Sequence, residues 1–207
     1  VKKGKQYTLY GNPTRTGGTV GKGVAVLVAD SIISAPSDHA PSAADNEIIY
    51  TEDGGKVLAV HLYVRGRPII AIAMHLPHTD IDRSNFLDKH GAAINEAIEA
   101  KMAKQGHTTR PSVIRFADDN FVRCASQDCS PPGHDIQTEA HRAMARMQKR
   151  LAPCGMLDAY RHTDPDGRAM TYTHPARGGQ PGTSRRYDVF DVSSDLASGA
   201  GITIART

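Results

Sequence analysis

Cysteines and long apolar runs are scarce in this sequence. The 207 residues include three cysteines, Cys124, Cys129 and Cys154, an odd and widely spaced set that does not suggest a disulfide framework. No apolar run approaches the roughly 20 residues that a membrane-spanning helix needs, and no signal peptide opens the chain. We therefore expect a soluble protein of a reducing intracellular compartment, nuclear or cytoplasmic, without membrane contact.

Strong indicators of a nucleic-acid partner are also scarce. Tryptophan is absent, aromatic residues make up 5% of the chain, and Lys and Arg form no concentrated run. The net charge of +3 permits contact with phosphates but does not require it. The length favours a single domain over residues 1–207 with a sizeable core. The first 22 residues are polar and rich in Gly, so we expect them to be flexible.

Four apolar, β-branched runs have the length and composition of strands. The second and third are joined by Arg65-Gly66-Arg67-Pro68, a hairpin connection that predicts an antiparallel pair. Helical spacing predicts helices over 80–106 and 135–151, with Gly91 weakening the first half of the first helix and Gly106 ending it. Short alternating segments after residue 151 predict further strands, and together these elements indicate a sheet core with helices outside. The four strand runs cover residues 23–29, 56–64, 69–74 and 112–116.

The last of these runs continues into three polar residues, in the stretch "VIRFADDNFV". Asp118 and Asn120 stand two apart at the predicted strand end, so in an extended chain they point to the same side. There the carboxylate could orient or deprotonate a water or contact Mg²⁺, and the amide could donate to a phosphate oxygen. An Asx turn leaving the strand explains the same residues, because Asp and Asn favour turns through their own backbone hydrogen bonds.

Three other residues are candidates for chemistry. His75 and His78 follow another predicted strand in "AMHLPHT" and could act as acid, base or metal ligand, or simply be solvated. Asp188 alternates with apolar residues in "RRYDVFDV", where its charge needs a partner if it is buried and none if it is exposed. A zinc site is not favoured, because the four available ligands lack the tight paired spacing of a zinc finger. Those ligands are Cys124, Cys129, His134 and Cys154.

Five segments carry motifs in a fixed order along the chain. They are "GKGVAVLV", "GKVLAVHLYVRGRPIIAIAMHLPH", "ADDNFV", "GMLDAYRHTDPDGRAMTYTHP" and "TSRRYDVFDVS". In this order they resemble the endonuclease/exonuclease/phosphatase superfamily, which includes deoxyribonuclease I, exonuclease III-type abasic-site endonucleases and the endonuclease domains of non-LTR retrotransposons. The resemblance implies an α+β fold of the deoxyribonuclease I-like type. Such a fold is a four-layered α/β/β/α sandwich of two mostly antiparallel sheets with outer helices, here incomplete at the edges.

The same resemblance implies a function, namely Mg²⁺-dependent hydrolysis of phosphodiesters in nucleic acid, with DNA as the expected partner. Asp118 would orient the attacking water and contact the metal, and Asn120 would contact the phosphate. His75 would lie next to the scissile phosphate, and Asp188 would orient a catalytic histidine. The retrotransposon branch further implies a downstream reverse transcriptase domain in a longer protein. The residues implied in phosphate binding are His78, Arg185 and Arg186.

The sequence also departs from the family pattern. The family's metal-binding Glu and catalytic His find no counterpart in the chain, so we expect a domain incomplete at both ends with weak or absent catalysis. Asp119 stands where the family has an aromatic residue, and its charge is expected to raise a carboxylate's pKa unless a cation lies close. An inactive remnant that at most binds nucleic acid, or a phosphatase for small phosphoesters on the same fold, are therefore alternatives. The other departures are Ala73, His78 and Ala117.

Overall fold

A computed structural model describes residues 6–11, 15–16, 19–20, 23–33, 46–124, 126–130, 138–168, 170–176 and 182–199. Its strands are β1 Tyr7–Gly11, β2 Arg15–Thr16, β3 Thr19–Val20, β4 Ala25–Ala29, β5 Glu47–Thr51, β6 Val57–Val64, β7 Arg67–His75, β8 Ser112–Asp118, β9 Cys129–Ser130, β10 Met156–Asp158, β11 Tyr172–His174, β12 Thr183–Arg185 and β13 Asp188–Ser193. Its helices are α1 Asp80–Gln105, α2 Thr138–Leu151, α3 Ala159–Thr163 and α4 Ser194–Gly199.

The centre of the fold is a six-stranded sheet with the order β10-β13-β8-β7-β6-β5. Strands β7 and β8 run parallel, and every other pair in this sheet is antiparallel. The hairpin between β6 and β7 turns through Arg65 and Gly66, whose φ angles are +51° and +77°. Two central residues with positive φ match the right-handed twist of paired strands. The predicted antiparallel hairpin is confirmed.

Helix α1 crosses from β7 to β8, as parallel neighbours require. Thr79 caps its start by accepting a hydrogen bond from the Asp82 amide, and Gly106 ends it in a left-handed conformation with φ +65°. Gly91 does not interrupt it, because the glycine lies against Met147 of α2, and a Cβ there would come within 2.6 Å of that side chain. The glycine expected to weaken the helix instead permits the two helices to pack closely.

Helices α1 and α2 cover one face of the central sheet. On α2, Ala140, Ala143, Met147 and Leu151 are buried as predicted, whereas Ile136 lies outside the described residues. They meet Leu87, Ile94 and Ile98 of α1 and alternate residues of the sheet in one continuous core. The sheet residues of this core are Val57, Ala59, Ile70, Ile72, Met74, Val113 and Ala117.

A two-stranded sheet formed by β1 and β4 lies on the other face of the central sheet. Val26 and Val28 of β4 pack on Leu58, Val60 and Ala73 there. Strand β1 falls within the segment expected to be flexible. The described residues thus form three layers, helices, central sheet and small sheet, so the α+β class is confirmed while the expected four-layer arrangement is not established.

Two observations bear on the compartment and membrane expectations. All three cysteines of the chain are free thiols. None of the helices in the described part of the chain combines the length and the apolar character needed to cross a membrane.

Between the central sheet and α2 lies a buried network of two cations and two carboxylates. Arg115 and Asp191 are fully buried and hydrogen bonded through Nη1 and Oδ2 at 2.7 Å. Asp119, also fully buried, is hydrogen bonded to Arg115 and accepts from Arg123 Nε at 2.9 Å. Arg123 reaches Asp191 as well, with Nη2 2.8 Å from Oδ2. The two guanidinium groups therefore balance the charges of the two carboxylates, Asp119 and Asp191.

The network sets the protonation of Asp191. Burial by itself raises the pKa of a carboxyl group. The charges and hydrogen bonds of Arg123 and Arg115 outweigh burial and lower the pKa of Asp191 from 3.8 to about 2. The carboxylate is consequently charged in the folded protein throughout the neutral range.

We predict that Asp191→Asn destabilises the protein strongly, because it leaves the fully buried Arg115 and the largely buried Arg123 with one carboxylate. Breaking a buried ion pair on one side lowers the free energy of unfolding by about 3–5 kcal/mol. Urea denaturation measures the change. Asp88→Asn, which breaks the exposed pair with Arg146, is the control and should have a much smaller effect. Equal losses in the two variants would contradict the role of the network.

The stabilisation by Asp191 should also depend on pH in a defined window. Its folded pKa lies below its unfolded value, so its contribution is complete above about pH 4 and is lost as the pH falls through about 2. We expect the difference in unfolding free energy between wild type and Asp191→Asn to shrink between pH 4 and 2. Urea denaturation across this range measures it, and a difference that stays constant would show that Asp191 does not titrate there.

Candidate functional site

Three of the predicted site residues lie side by side on three adjacent strands. His75 on β7 and Asp188 on β13 are both register partners of Asp118 on β8. Neighbouring strands are about 4.8 Å apart, and partners in register project from the same face. Since Val113 and Ala117 of β8 face the helices, Asp118 projects from the opposite face. We call His75, Asp118 and Asp188 the three-strand row.

The row is accessible to a ligand. His75 and Asp188 are exposed, and Asp118 is half-buried between them. His78 is also exposed, and its ring lies edge-on to that of His75, with 6.4 Å between the ring centroids. The surface therefore presents two carboxylates beside two imidazoles at one end of the sheet.

Asn120 connects the ends of the two parallel strands. Its amide N–H donates to Asp118 Oδ1 at 3.1 Å, which is the hydrogen bond of an Asx turn, and its Nδ2 donates to the Leu76 carbonyl at 2.7 Å. Asn120 adopts a left-handed conformation with φ +52°. The Asx turn and a ligand site can coexist here. The turn uses only one carboxylate oxygen of Asp118, and the bond to Leu76 uses only one of the two N–H groups of the Asn120 side-chain amide.

The two arginines implied in phosphate binding lie in different environments. Arg186 is 3% exposed, and its Nε donates to Asp128 Oδ1 at 2.8 Å while Nη2 donates to Asp158 Oδ2 at 2.5 Å. Arg185 on β12 is half-buried and donates to the Tyr187 hydroxyl at 2.9 Å. The structure therefore places Arg186 in the interior, where it joins three segments of the chain.

Arg186 and Arg161 determine the charge of Asp128. Burial by itself raises the pKa of this carboxyl group. Hydrogen bonds and charge from Arg186 and Arg161 outweigh it and lower the pKa of Asp128. The guanidinium of Arg186 also lies 5.5 Å from the centroid of the Tyr160 ring. This cluster fixes the chain just before Asp188.

Sequence reasoning missed two residues that shape the site. Thr171 accepts hydrogen bonds at its hydroxyl oxygen from the amides of Tyr187 at 3.0 Å and Asp188 at 3.1 Å, and so fixes the start of β13. The sequence feature that could have indicated Thr171 is its position in "AMTYTHP", part of the fourth motif segment. The other is Arg83 in the first turn of α1, whose only signal is a charge among positions that face the core.

A cavity of about 380 Å³ opens beside Asp188. Its walls include Tyr160, Thr171 and the rings of Phe116 and Phe190, which stack on each other with 4.7 Å between centroids. An organic group attached to a phosphate at the row would find an apolar wall here.

The fit of the site to a divalent metal is partial. Within the described residues, no three His, Cys, Asp or Glu side chains group closely enough to hold an ion, and His134 lies outside them. Asp118 and Asp188 are nevertheless paired in register on one face. Mg²⁺ is commonly held by one or two carboxylates together with water and substrate phosphates. These two carboxylates meet that minimum.

No protein-family model matches the chain, and no curated protein sequence matches it. Solved structures do resemble it. The D. rerio TDP2 structure complexed with a single-strand DNA product matches with a TM-score of 0.51 and 14% identity, over 90% of this chain and 62% of that chain. Humanized D. rerio TDP2 matches with a TM-score of 0.50 and 15% identity, over 90% and 60%. The endonuclease domain of TRAS1, a telomere-specific non-LTR retrotransposon, matches with a TM-score of 0.47 and 15% identity, over 93% and 69%.

The chain therefore has the deoxyribonuclease I-like fold that the order of its motifs predicts. At this identity the likeness establishes the fold alone. The chain spans about three fifths of the length of the two TDP2 chains.

We predict that the left-handed conformation of Asn120 can be detected by comparing Asn120→Ala with Asn120→Gly. Both variants lose the bond to Leu76, but alanine also bears a left-handed cost of about 1–2 kcal/mol, which exceeds its advantage of about 0.4–1 kcal/mol in unfolded-state entropy. Urea denaturation should thus show Asn120→Ala to be the less stable by about 0.5–1 kcal/mol. A more stable alanine variant would contradict the positive φ.

Proposed function

We propose that the three-strand row is the active site of a Mg²⁺-dependent phosphodiester hydrolase, an endonuclease that acts on DNA. The register that places His75, Asp118 and Asp188 on one face carries this proposal. The fold supports it, because a structure of the same fold was solved with a single-strand DNA product. We extend the proposal to a retrotransposon origin, with a reverse transcriptase domain in the same longer protein, on the motif resemblance alone.

The residues of the row divide the work between water and phosphate. Asp118 orients the attacking water and accepts its proton, for which its oxygen outside the Asx turn is suited. His75 and the second N–H of Asn120 donate to the phosphate oxygens, where negative charge develops. His78 and Arg185 contact neighbouring phosphates. Asp118 and Asp188 would hold Mg²⁺, which when bound offsets the charge of the phosphate.

Turnover is expected to be slow. The described residues offer the metal two carboxylates and the leaving group no dedicated acid, and loss of general acid or base catalysis costs about 10²- to 10⁴-fold in rate. Binding of nucleic acid without turnover is the second candidate function, and the absence of a three-ligand metal group among the described residues favours it. Hydrolysis of small phosphoesters is the other alternative on this fold.

We predict that the protein nicks supercoiled plasmid in Mg²⁺ and that Asp118→Ala lowers the rate about 10²- to 10⁴-fold. Glu96→Ala, which removes an exposed carboxylate on α1, is the matched control and should nick at the wild-type rate. Gel electrophoresis of the relaxed product measures both, with EDTA as the metal-free reference.

Each other outcome selects a different conclusion. Equal rates for wild type and Asp118→Ala would end the hydrolase proposal. DNA binding without nicking by any variant would favour the binding function. Release of phosphate from p-nitrophenyl phosphate, abolished by Asp118→Ala while plasmid stays intact, would favour the phosphatase.

A further inference from the structure

Arg83 is a buried cation in an unfavourable position. It lies in the first turn of α1 and is 1% exposed. The start of a helix carries partial positive charge, which disfavours a cation there, and burial of a charged group is costly unless the group is hydrogen bonded. Such a residue needs strong local compensation.

That compensation comes from backbone carbonyls of the two segments that follow β7 and β8. Arg83 Nε donates to the Thr79 carbonyl at 3.2 Å, and Nη2 donates to the His78 carbonyl at 2.5 Å. Its Nη1 donates to the Asn120 carbonyl, and the guanidinium lies 5.6 Å from the centroid of the Phe121 ring. A guanidinium donates in a fixed plane, so these bonds fix the direction of each carbonyl.

The bond to the Asn120 carbonyl acts on a strained residue. A non-glycine residue with positive φ persists only where its surroundings determine it. Three hydrogen bonds hold Asn120. Its side-chain Nδ2 donates to the Leu76 carbonyl, its backbone N–H donates to Asp118, and its backbone carbonyl accepts from Arg83. Arg83 therefore fixes the backbone carbonyl of Asn120, which neither the Asx turn nor the bond to Leu76 holds.

We propose that Arg83 is a positioning residue of the candidate site. It holds the segment that carries His78 against the segment that carries Asn120, and so orients the side-chain amide of Asn120 toward the phosphate. This inference rests on the proposed function for its catalytic consequence. The geometry it asserts is independent of any activity.

The first test compares Arg83→Met and Arg83→Lys with Arg146→Met, a control that removes an exposed guanidinium on α2. In NMR spectra of the labelled proteins, the Asn120 Cα and Cβ shifts report its φ, and the Phe121 amide shift reports the Asn120 carbonyl. Arg83→Met should move these signals, Arg83→Lys should move them less because the ammonium keeps part of the donation, and Arg146→Met should leave them unchanged. Unmoved signals in Arg83→Met overturn the proposal. If Arg83→Met does not fold, signals in Arg83→Lys identical to wild type overturn it instead.

The second test applies when the wild type turns over substrate. Misplacement of a phosphate-contacting group by about 1 Å can lower a rate about 10²-fold. We expect Arg83→Met to lower kcat by this order with little change in KM, and Arg83→Lys to recover part of the loss. A kcat equal to that of Arg146→Met overturns the positioning role. If the wild type shows no turnover, the proposed hydrolase fails while the NMR comparison still decides the role of Arg83.

Discussion

Pairing of β8 with β7 on one side and β13 on the other is the constraint on which the rest of the structure depends. Side chains alternate along a strand, so a shift of one residue would exchange Asp118 with Asp119 between the two faces. The buried network prevents that exchange. Asp119 is held by Arg115 and Arg123 on the helix side, so Asp118 must face outward into the row. The charge pattern on the hidden face thereby selects which of two adjacent carboxylates meets a ligand.

A second cluster fixes the remaining strand from its other end. Arg186 joins Asp128 and Asp158, and Thr171 receives the amides at the start of β13. Asp188 follows directly, so its position depends on the buried Arg186 and on the exposed Thr171. Buried ion pairs add little net stability compared with apolar packing, but loss of one partner is costly because it leaves a buried charge unpaired. In this protein that cost opposes any arrangement that would separate Arg186 from Asp128 and Asp158.

Local patterns predicted strands β4, β6, β7 and β8, the β6–β7 hairpin and the helical stop at Gly106, because each depends on a few neighbouring residues, whereas β1 and β5 were not predicted. Local patterns could not predict features that depend on partners distant in the sequence. Gly91 was expected to weaken its helix, but Met147 packs against it. Arg186 was expected to contact phosphate, whereas in the structure it pairs with Asp128 and Asp158. The register explains why His75, Asp118 and Asp188, which the motif order marks as candidates, lie side by side, and their chemical role stays a prediction.

The row joins strands that are distant along the chain, whereas β6 and β7 are separated by a tight turn. Contacts between distant residues form slowly, because the intervening chain must first lose its conformational freedom. During synthesis from the N-terminus, the hairpin can therefore form while the ribosome is still adding the later strands. His75 can pair with Asp118 only after β8 has been made, and Asp188 joins them last, so four of the six strands of the central sheet can pair before the row is complete.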